Sequence, residues 1–409
     1  MVILKQMDYK ITDHKSSHAN ADGSIELSIV IPCLDEADTL AVCIEKAQRA
    51  IREIEITAEI IIADNGSTDG SQDIAQRMDV RVVNVAEKGY GSALMGGIAA
   101  SRGKFIIMGD ADDSYDFLQI SKFVEKLRDG YDLVQGCRLP GAGGIVKPGA
   151  MPFLHRWVGN PMFTFLARFL FKSPINDVYS GLRGFTRAHY DSLNQRCTGM
   201  EFATEMIIKS SIYKSKIAEV PITLHVAGRK SHPPHLKTFR DGWRTLWFFL
   251  LYSPRWLFLI PGSFLIIVGL LCYAVALPKL SIYGIVTFDV HTMLFGSFFI
   301  ICGYQAILFF ILTKTFIIRE NLHPSSKRID RFYGVVNLQK GIIFSLLSLV
   351  AGLVLLAIAV NEWRSVNFGN LNLDYTLRLV IPGILLASLG FESLLFSFFS
   401  GILKIPRRK

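Results

Sequence analysis

The sequence predicts an α/β domain with a mostly parallel sheet, followed by an all-α membrane domain of about four helices. Two observations predict it. Before about residue 230, short apolar runs alternate with amphipathic stretches, the pattern of strands and helices taken in turn. After Leu257 come apolar runs of the roughly 20 residues needed to cross about 30 Å of hydrocarbon. The 409 residues, 50% of them hydrophobic, are therefore a mixture of two unlike halves.

The elements follow in order. Leu27 to Ile31 reads as a strand, Thr39 to Ile54 as an amphipathic helix and Glu59 to Ala63 as a second strand. A helix opens at Ser71, a third strand spans Val80 to Val85, a helix spans Ser92 to Ser101, and Phe105 to Met108 is a fourth strand. Ligands of open parallel sheets bind beyond the carboxyl ends of the strands. Polar residues collect at those four ends: Pro32 to Glu36, Asp64 to Asp69, Lys88 to Gly91 and Asp110 to Asp113. Later, His235 to Trp256 mixes Trp243, Trp247, Phe248, Phe249 and Trp256 with Lys237, Arg240, Arg244 and Arg255, the composition of helices lying in the headgroup layer. Spans are expected near 257–277, 293–313, 341–360 and 379–402. The resulting division is a flexible N-terminus (1–25), an α/β domain (26–230), interfacial helices (231–256), a transmembrane domain (257–403) and a basic tail (404–409).

The net charge of +9 does not point to nucleic acid, because Lys and Arg are not gathered into a run with interleaved aromatics. They border the spans instead. Lys314, Arg319, Lys327, Arg328, Arg331 and Lys340 lie between the second and third spans, and the tail carries Lys404, Arg407, Arg408 and Lys409. The positive-inside rule then places both termini and the α/β domain in the cytoplasm, with an even number of spans in the cytoplasmic (inner) membrane. The first 26 residues hold no apolar h-region, so no cleavable signal peptide is expected. The six cysteines show no paired metal spacing and read as reduced packing residues.

Four motifs carry chemistry. Asp110 and Asp112 stand two apart directly after an apolar strand, where both carboxylates can hold one hard divalent cation, Mg²⁺ or Mn²⁺. The plain alternative is an acidic surface turn with Asp113 and Asp116 as solvated neighbours. Asp64 is the first polar residue off a buried strand, placed to accept from a base, although the run to Ser71 is also a helix N-cap with turn glycines. Lys88-Gly89-Tyr90-Gly91 has the wrong spacing for a dinucleotide fingerprint but can start a helix that meets phosphate. Asp177 and Arg183 flank Gly181 and form either a structural ion pair or a pair in which Arg183 grips phosphate and Asp177 orients the nucleophile. Glu201 and Glu205 share a helix face, as a site wall or a solvated stripe. The basic stretch holding Arg229, Lys237 and Arg240 is an anionic-headgroup anchor that also suits a lipid phosphate. His232 and His235 are separated by two prolines and do not make a helical metal pair.

The opening Ile-Val-Ile-Pro-Cys-Leu-Asp-Glu, the block Asp64 to Asp69, the pair Asp110 and Asp112, and the motif Asp177 to Arg183, in this order, resemble glycosyltransferase family 2, and within it the dolichol-phosphate or polyprenyl-phosphate glycosyltransferases. The resemblance covers roughly residues 25 to 260. It implies a Rossmann-like GT-A catalytic domain and an inverting transfer of one sugar from a UDP- or GDP-linked donor to polyprenyl phosphate, as a step of cell-envelope glycan biosynthesis. It further implies that Pro32, Leu34 and Glu36 frame the nucleoside, Asp64 binds the base, and Asp110 and Asp112 meet the ribose side and the metal. Asp177 would be the base or acceptor orienter and Arg183 a phosphate ligand, with Lys88 near the diphosphate. Two positions depart from the family. Ser114 stands where close relatives place a metal-binding glutamine, and Cys33-Leu34-Asp35 replaces the usual tyrosine and asparagine.

Two other readings compete. A processive polysaccharide synthase would carry Gln-x-x-Arg-Trp on an interfacial helix, whereas Arg255-Trp256 here follows Tyr252-Ser-Pro. A non-catalytic membrane scaffold with a nucleotide-binding domain would have no need of the intact aspartate pair. A homo-oligomer is compatible with either reading. Within the spans Glu392 is an ionisable exception, so anchoring is favoured over transport.

Overall fold

Two runs of buried apolar residues form the centre of a sheet: β2 (Leu27–Cys33) and β3 (Ala58–Asp64), which follow the short β1 (Lys10–Thr12). Both faces of these strands are covered, so they read as continuous apolar runs with no alternation. The computed structural model describes residues 10–12, 24–231, 238–283, 286–324, 338–403 and 405. Lys237, the His232/His235 pair, Lys327, Arg328, Arg331 and the basic tail residues lie outside the described residues. The chain divides into two units, Met1–Tyr252 and Ser253–Lys409.

In the first unit the sheet is completed by β4 (Arg81–Asn84), β5 (Phe105–Met108), β6 (Leu133–Cys137), β8 (Arg183–Thr186) and β9 (Ile217–Pro221). Its order is β1-β4-β3-β2-β5-β8-β6-β9. The sheet is mostly parallel: β1 runs antiparallel to β4, β8 runs antiparallel to both neighbours, and the other pairs are parallel. A separate parallel pair joins β7 (Ile145–Val146) to β10 (Thr223–Leu224).

Helices cover both faces. Leu40, Cys43, Ile44, Ala47 and Ile51 recur at helical spacing along α1 (Leu40–Glu53). With α2 (Ser71–Arg77) and α4 (Ser121–Arg128), that helix packs on Ile29, Ile31, Ile60, Ile62 and Ile107, one side of the strand alternation. The opposite side takes α3 (Tyr90–Ala100), where a Cβ on Gly97 would stand 2.6 Å from Val30 Cγ1 and 2.9 Å from Ala63 Cβ. Four further helices complete the unit: α5 (Asn160–Phe171), α6 (Arg187–Leu193), α7 (Glu201–Ile212) and α8 (Thr238–Leu251).

This winding fixes where a ligand can bind. The chain leaves β2 through α1 to β3 on one side and later returns through α3 to β5 on the other. The strand order therefore reverses between β2 and β5, and a crevice opens at their carboxyl ends. Pro32 to Glu36 and Asp110 to Asp113 are the segments that leave those two ends.

Among the described residues, the long helices of the second unit are α9 (Ile260–Ala276), α10 (Val290–Arg319), α11 (Leu338–Ser365) and α12 (Leu373–Leu403). With the turn preceding α9 included, all four are long and apolar enough to cross a membrane, at 22, 30, 27 and 31 residues. Lipid tails offer no hydrophobic drive for helices to pair, so close backbone approach at small residues takes its place. A Cβ on Gly303 would lie 2.6 Å from the Gly262 carbonyl oxygen, and one on Gly352 would lie 2.6 Å from that of Gly383. Tyr273 and Ser297 share a 2.6 Å hydrogen bond between α9 and α10, and Tyr304 and Ser393 share one of 2.6 Å between α10 and α12.

Because Gly97 has no room for a side chain, Gly97→Val is expected to destabilise the first unit by about 1–3 kcal/mol. The lower urea midpoint of detergent-purified protein would register it; an unchanged midpoint would contradict the packing described.

Candidate active site

The loops after β2 and β3 are laced together. Asp35, in left-handed backbone at φ 57°, accepts from Thr68 N at 2.7 Å, while its own N–H donates to Ser67 Oγ at 3.0 Å. Ala37 N donates to Asp69 Oδ2 at 2.8 Å. Asp69 also accepts from Ser71 N and Oγ at the start of α2, a local side-chain turn, whereas the residue in the N-cap position is Gly70 and supplies no side-chain cap. Asp64 is buried and already engaged: its carboxylate accepts from Gly66 N at 2.9 Å and from Gln72 Nε2 at 2.6 Å. Pro32 and Leu34 are half-buried beside it. Lys88 is exposed and donates to the Asn65 carbonyl, and Gly89 N donates to Asn65 Oδ1 at 2.8 Å, which ties the start of α3 to this loop.

Across the crevice, Asp110 accepts from Tyr90 Oη at 2.9 Å. Gly181 makes room for it, since a Cβ there would come within 2.5 Å of Asp110 Oδ2. Burial, and then the charge of Asp112, push the Asp110 carboxyl up to about 6. Asp112 accepts from Ser114 Oγ at 2.5 Å and from Ser114 N at 3.0 Å. Thus the residue standing in the family's glutamine position buttresses the second aspartate. Asp113 turns away to pair with Lys46 at 2.7 Å.

The segment following β10 closes over these aspartates. His225 N donates to the Ser114 carbonyl and Gly228 N to the Asp112 carbonyl, each at 2.8 Å. Arg229 is thereby held with Nη2 2.7 Å from Glu36 Oε1 and 3.0 Å from Asp112 Oδ2. The guanidinium bridges carboxylates from both lips of the crevice. Arg240 lies apart from this cluster in sequence, on the exposed side of α8.

Asp177 and Arg183 do not pair. Asp177 is fully buried, with Oδ2 2.7 Å from Arg138 Nε and Oδ1 2.8 Å from Arg138 Nη2. Burial works against the charge on Arg138, but the Asp177 carboxylate outweighs it and holds the guanidinium above its ordinary range. Arg138 Nη1 reaches Tyr115 Oη at 3.3 Å, and Tyr115 Oη accepts from Gly181 N at 2.7 Å. Both carboxylate oxygens of Asp177 are therefore engaged by Arg138.

Arg183 requires a second correction. It is the first residue of β8 and fully buried, donating to the Ala203 carbonyl at 2.6 Å and the Ser180 carbonyl at 2.8 Å. Its two Nη atoms are given to backbone carbonyls, while its buried Nε has no hydrogen-bond partner among the described residues. Glu205 likewise proves to be a buried structural residue, 2.6 Å from Lys209 and accepting from Tyr252 Oη at 3.1 Å. Sequence reasoning missed Arg138, Tyr90 and Tyr115. For Arg138 a signal existed: like Asp64, it is the first charged residue beyond a buried strand, here β6.

A buried pair that loses one partner strands the other charge. Asp177→Ala is expected to cost about 3–5 kcal/mol, and Arg138→Met combined with Asp177→Leu to recover most of it. Urea unfolding of the three proteins checks this; an Asp177→Ala midpoint equal to that of the native chain would contradict the pairing.

Comparison with known proteins adds the lineage. The sequence profile of glycosyl transferase family 2 matches residues 28–193, and that of the glycosyltransferase family 2 C-terminal transmembrane region matches residues 311–404. A low-salt glycan biosynthesis hexosyltransferase of Haloferax volcanii is 32% identical, over 91% of this chain and 91% of its own length. A dolichyl-phosphate hexose transferase of the same organism is 33% identical over 40% of this chain and 69% of its length. Among solved structures, glucosyl-3-phosphoglycerate synthase from Mycobacterium tuberculosis covers 59% of this chain and 86% of its own, at 20% identity and a TM-score of 0.45. The chain belongs to glycosyltransferase family 2 and is an integral membrane glycosyltransferase whose GT-A catalytic domain precedes four apolar helices.

Proposed function

We propose that this enzyme moves one sugar, with inversion, from a nucleotide diphosphate sugar to the phosphate of a polyprenyl lipid at the cytoplasmic face, leaving a lipid-phosphate-sugar for glycan assembly. The observation that carries the reading is the carboxylate cluster of Asp110, Asp112 and Glu36 at the sheet's switch point, in a chain with four spans. The dolichyl-phosphate hexose transferase among its relatives supports the acceptor class.

Among the described residues no group of three or more His, Cys, Asp or Glu side chains is gathered as a preformed metal site, so a divalent cation would be held by Asp110 and Asp112 together with the donor's phosphates. Asp110 is strained by burial and by Asp112, an excess of negative charge that a hard cation relieves. Mg²⁺ is commonly held by one or two carboxylates together with substrate phosphates, which is what Asp110 and Asp112 can offer. When bound, Mg²⁺ or Mn²⁺ supplies charge neutralisation to the departing diphosphate.

The chain's own residues do the placing. Asp64 and the loop it anchors receive the base, with Pro32 and Leu34 alongside, and Lys88 and the start of α3 face the diphosphate. An acceptor oxygen attacks the anomeric carbon as the bond from that carbon to the diphosphate breaks, and the electron pair leaves with the diphosphate. No proton need be removed, because a phosphate monoester with a second pKa of about 6 is largely dianionic at neutral pH. Asp177 then serves as a positioning residue that fixes Arg138. Arg229, which pairs with Glu36 and Asp112, is the residue we assign to the acceptor phosphate, with Lys237 and Arg240 on the approach.

Two measurements test this. Labelled sugar should pass from one of a panel of UDP- and GDP-sugars to a short polyprenyl phosphate only with Mg²⁺ or Mn²⁺, and Asp112→Asn should lower the rate by about a hundredfold or more. No lipid product from any donor, with nucleotide still bound, would overturn the reading in favour of a polymer synthase or a scaffold.

Second, Mn²⁺ must displace a proton from Asp110 below about pH 6 but not above it. Affinity for Mn²⁺ alone, without nucleotide, should therefore be level above pH 7 and fall by up to about tenfold per unit below pH 6. Asp110→Asn should abolish that fall; a pH-independent native affinity would contradict it.

A further inference from the structure

One helix of the catalytic unit presents an apolar face whose described residues are largely exposed. A π-helical turn, His155–Gly159, runs directly into α5. Along this stretch Leu154, Val158, Met162, Phe165 and Phe169 recur at steps of four, four, three and four residues, and all are exposed. Phe153 is 75% exposed, Trp157 63% and Phe165 61%, values far from those of packed aromatics. The opposite face is the buried one, carrying Asn160, Phe163, Thr164, Ala167 and Phe171. The helix is therefore apolar on two faces, of which one is buried and the other exposed. Exposed apolar patches of this kind mark an interaction surface.

We propose that the stretch from Phe153 to Phe169 lies in the boundary between headgroups and acyl chains of the bilayer, as a docking element of the catalytic domain that acts beside α8. Three observations select lipid as the occupant. The buried face of α5 is fastened to α8: the Phe249 ring centroid lies 5.9 Å from that of Phe163 and 5.7 Å from that of Phe171. α8 exposes Trp243 and Trp247 and ends at Leu251, four residues before the first spanning segment opens at Arg255. The helix bearing the exposed apolar face is thus packed against an element that the chain itself carries to the first spanning segment.

Charge is the second observation. From Leu133 to Asn176 the sequence contains no acidic residue, while Arg138, Lys147, Arg156, Arg168 and Lys172 punctuate it. Arg156 lies over the Trp157 ring at 5.5 Å, an apolar body with a cationic tip of the kind that interfacial helices place at headgroup level. Anionic headgroups complement this stretch, whereas a soluble acidic partner would leave the aromatic stripe in water.

The third observation is what the inner face supports. Thr164 Oγ1 donates to the Asn176 carbonyl at 3.2 Å, Arg168 Nε to the Ile175 carbonyl at 2.9 Å, and Phe163 meets Tyr179 edge-on at 5.3 Å. Hence α5 carries the loop holding Asp177 on one side and the apolar stripe on the other. On the reading proposed above, a lipid phosphate at headgroup depth would meet the site across the thickness of one helix.

The test uses the full chain in phosphatidylcholine–phosphatidylglycerol vesicles doped with a phosphatidylcholine bearing a diazirine near the glycerol end of an acyl chain. After illumination, peptides are mapped by mass spectrometry. Adducts are expected on 153–169 as well as on the spans, and not on the exposed side of α1 around Arg49 and Glu53. The double variant Trp157→Gln, Phe165→Gln changes only exposed side chains and should reduce adducts on 153–169 several-fold with the spans labelled as before. Labelled spans with 153–169 blank would overturn the proposal, as would cross-links between copies through that stretch in place of lipid adducts. Neither readout involves turnover, so failure here leaves the sugar-transfer reading standing, and failure of that reading leaves this one testable.

Discussion

Negative charge confined at the reversal of the sheet order is the constraint around which the catalytic unit is arranged. Glu36 leaves the end of β2 and Asp110 and Asp112 leave the end of β5, so the topology itself drives three carboxylates towards one crevice. Taking carboxylates out of water is costly unless each is paired or hydrogen-bonded. Each has a partner here: Tyr90 for Asp110, Ser114 for Asp112, and Arg229 for Glu36 and Asp112 together. The strap after β10 runs beside the Asp112 to Ser114 turn and brings that guanidinium to both carboxylates.

A second buried charge, Arg138 with Asp177, organises the far wall. Its geometry is bidentate and it is linked through Tyr115 to Gly181, which in turn lies against Asp110. The two charged groups of the site are therefore joined by hydrogen bonds and contacts, and a change at one is felt at the other. In the membrane unit the governing problem differs. There the backbone satisfies itself within helices, and glycines facing glycines, with two tyrosine–serine bonds, set how the helices pair.

Much of this was legible in the sequence because its signals are local. The strands β2, β3 and β5 are mostly apolar runs, the four spans exceed the helices of the first unit in length, and polar residues stand at the strand ends where a parallel sheet presents ligands. What stayed hidden depends on burial and on non-local pairing. β6 contains Gln135 and Gly136, and reads as a strand only once the Gln135 amide is seen donating to the Asp177 and Ser180 carbonyls. β8 begins with Arg183, whose charge suggested a surface ligand until its environment showed otherwise. Asp177 does not pair with Arg183, the arginine nearest in sequence; its partner, Arg138, stands just beyond β6 and 39 residues earlier. For α5 the composition is apolar all round, and sequence alone cannot separate a buried helix from one with a face turned to lipid.

The central claim, that Asp110 and Asp112 hold a divalent cation shared with a nucleotide diphosphate, is tested most directly by a structure of the full chain with Mn²⁺ and UDP or GDP, with anomalous scattering recorded at the manganese edge. The account predicts one peak between the two aspartates and the diphosphate, with Arg229 withdrawn from Asp112. A bound nucleotide with manganese elsewhere, and Arg229 still bridging Glu36 and Asp112, would contradict it.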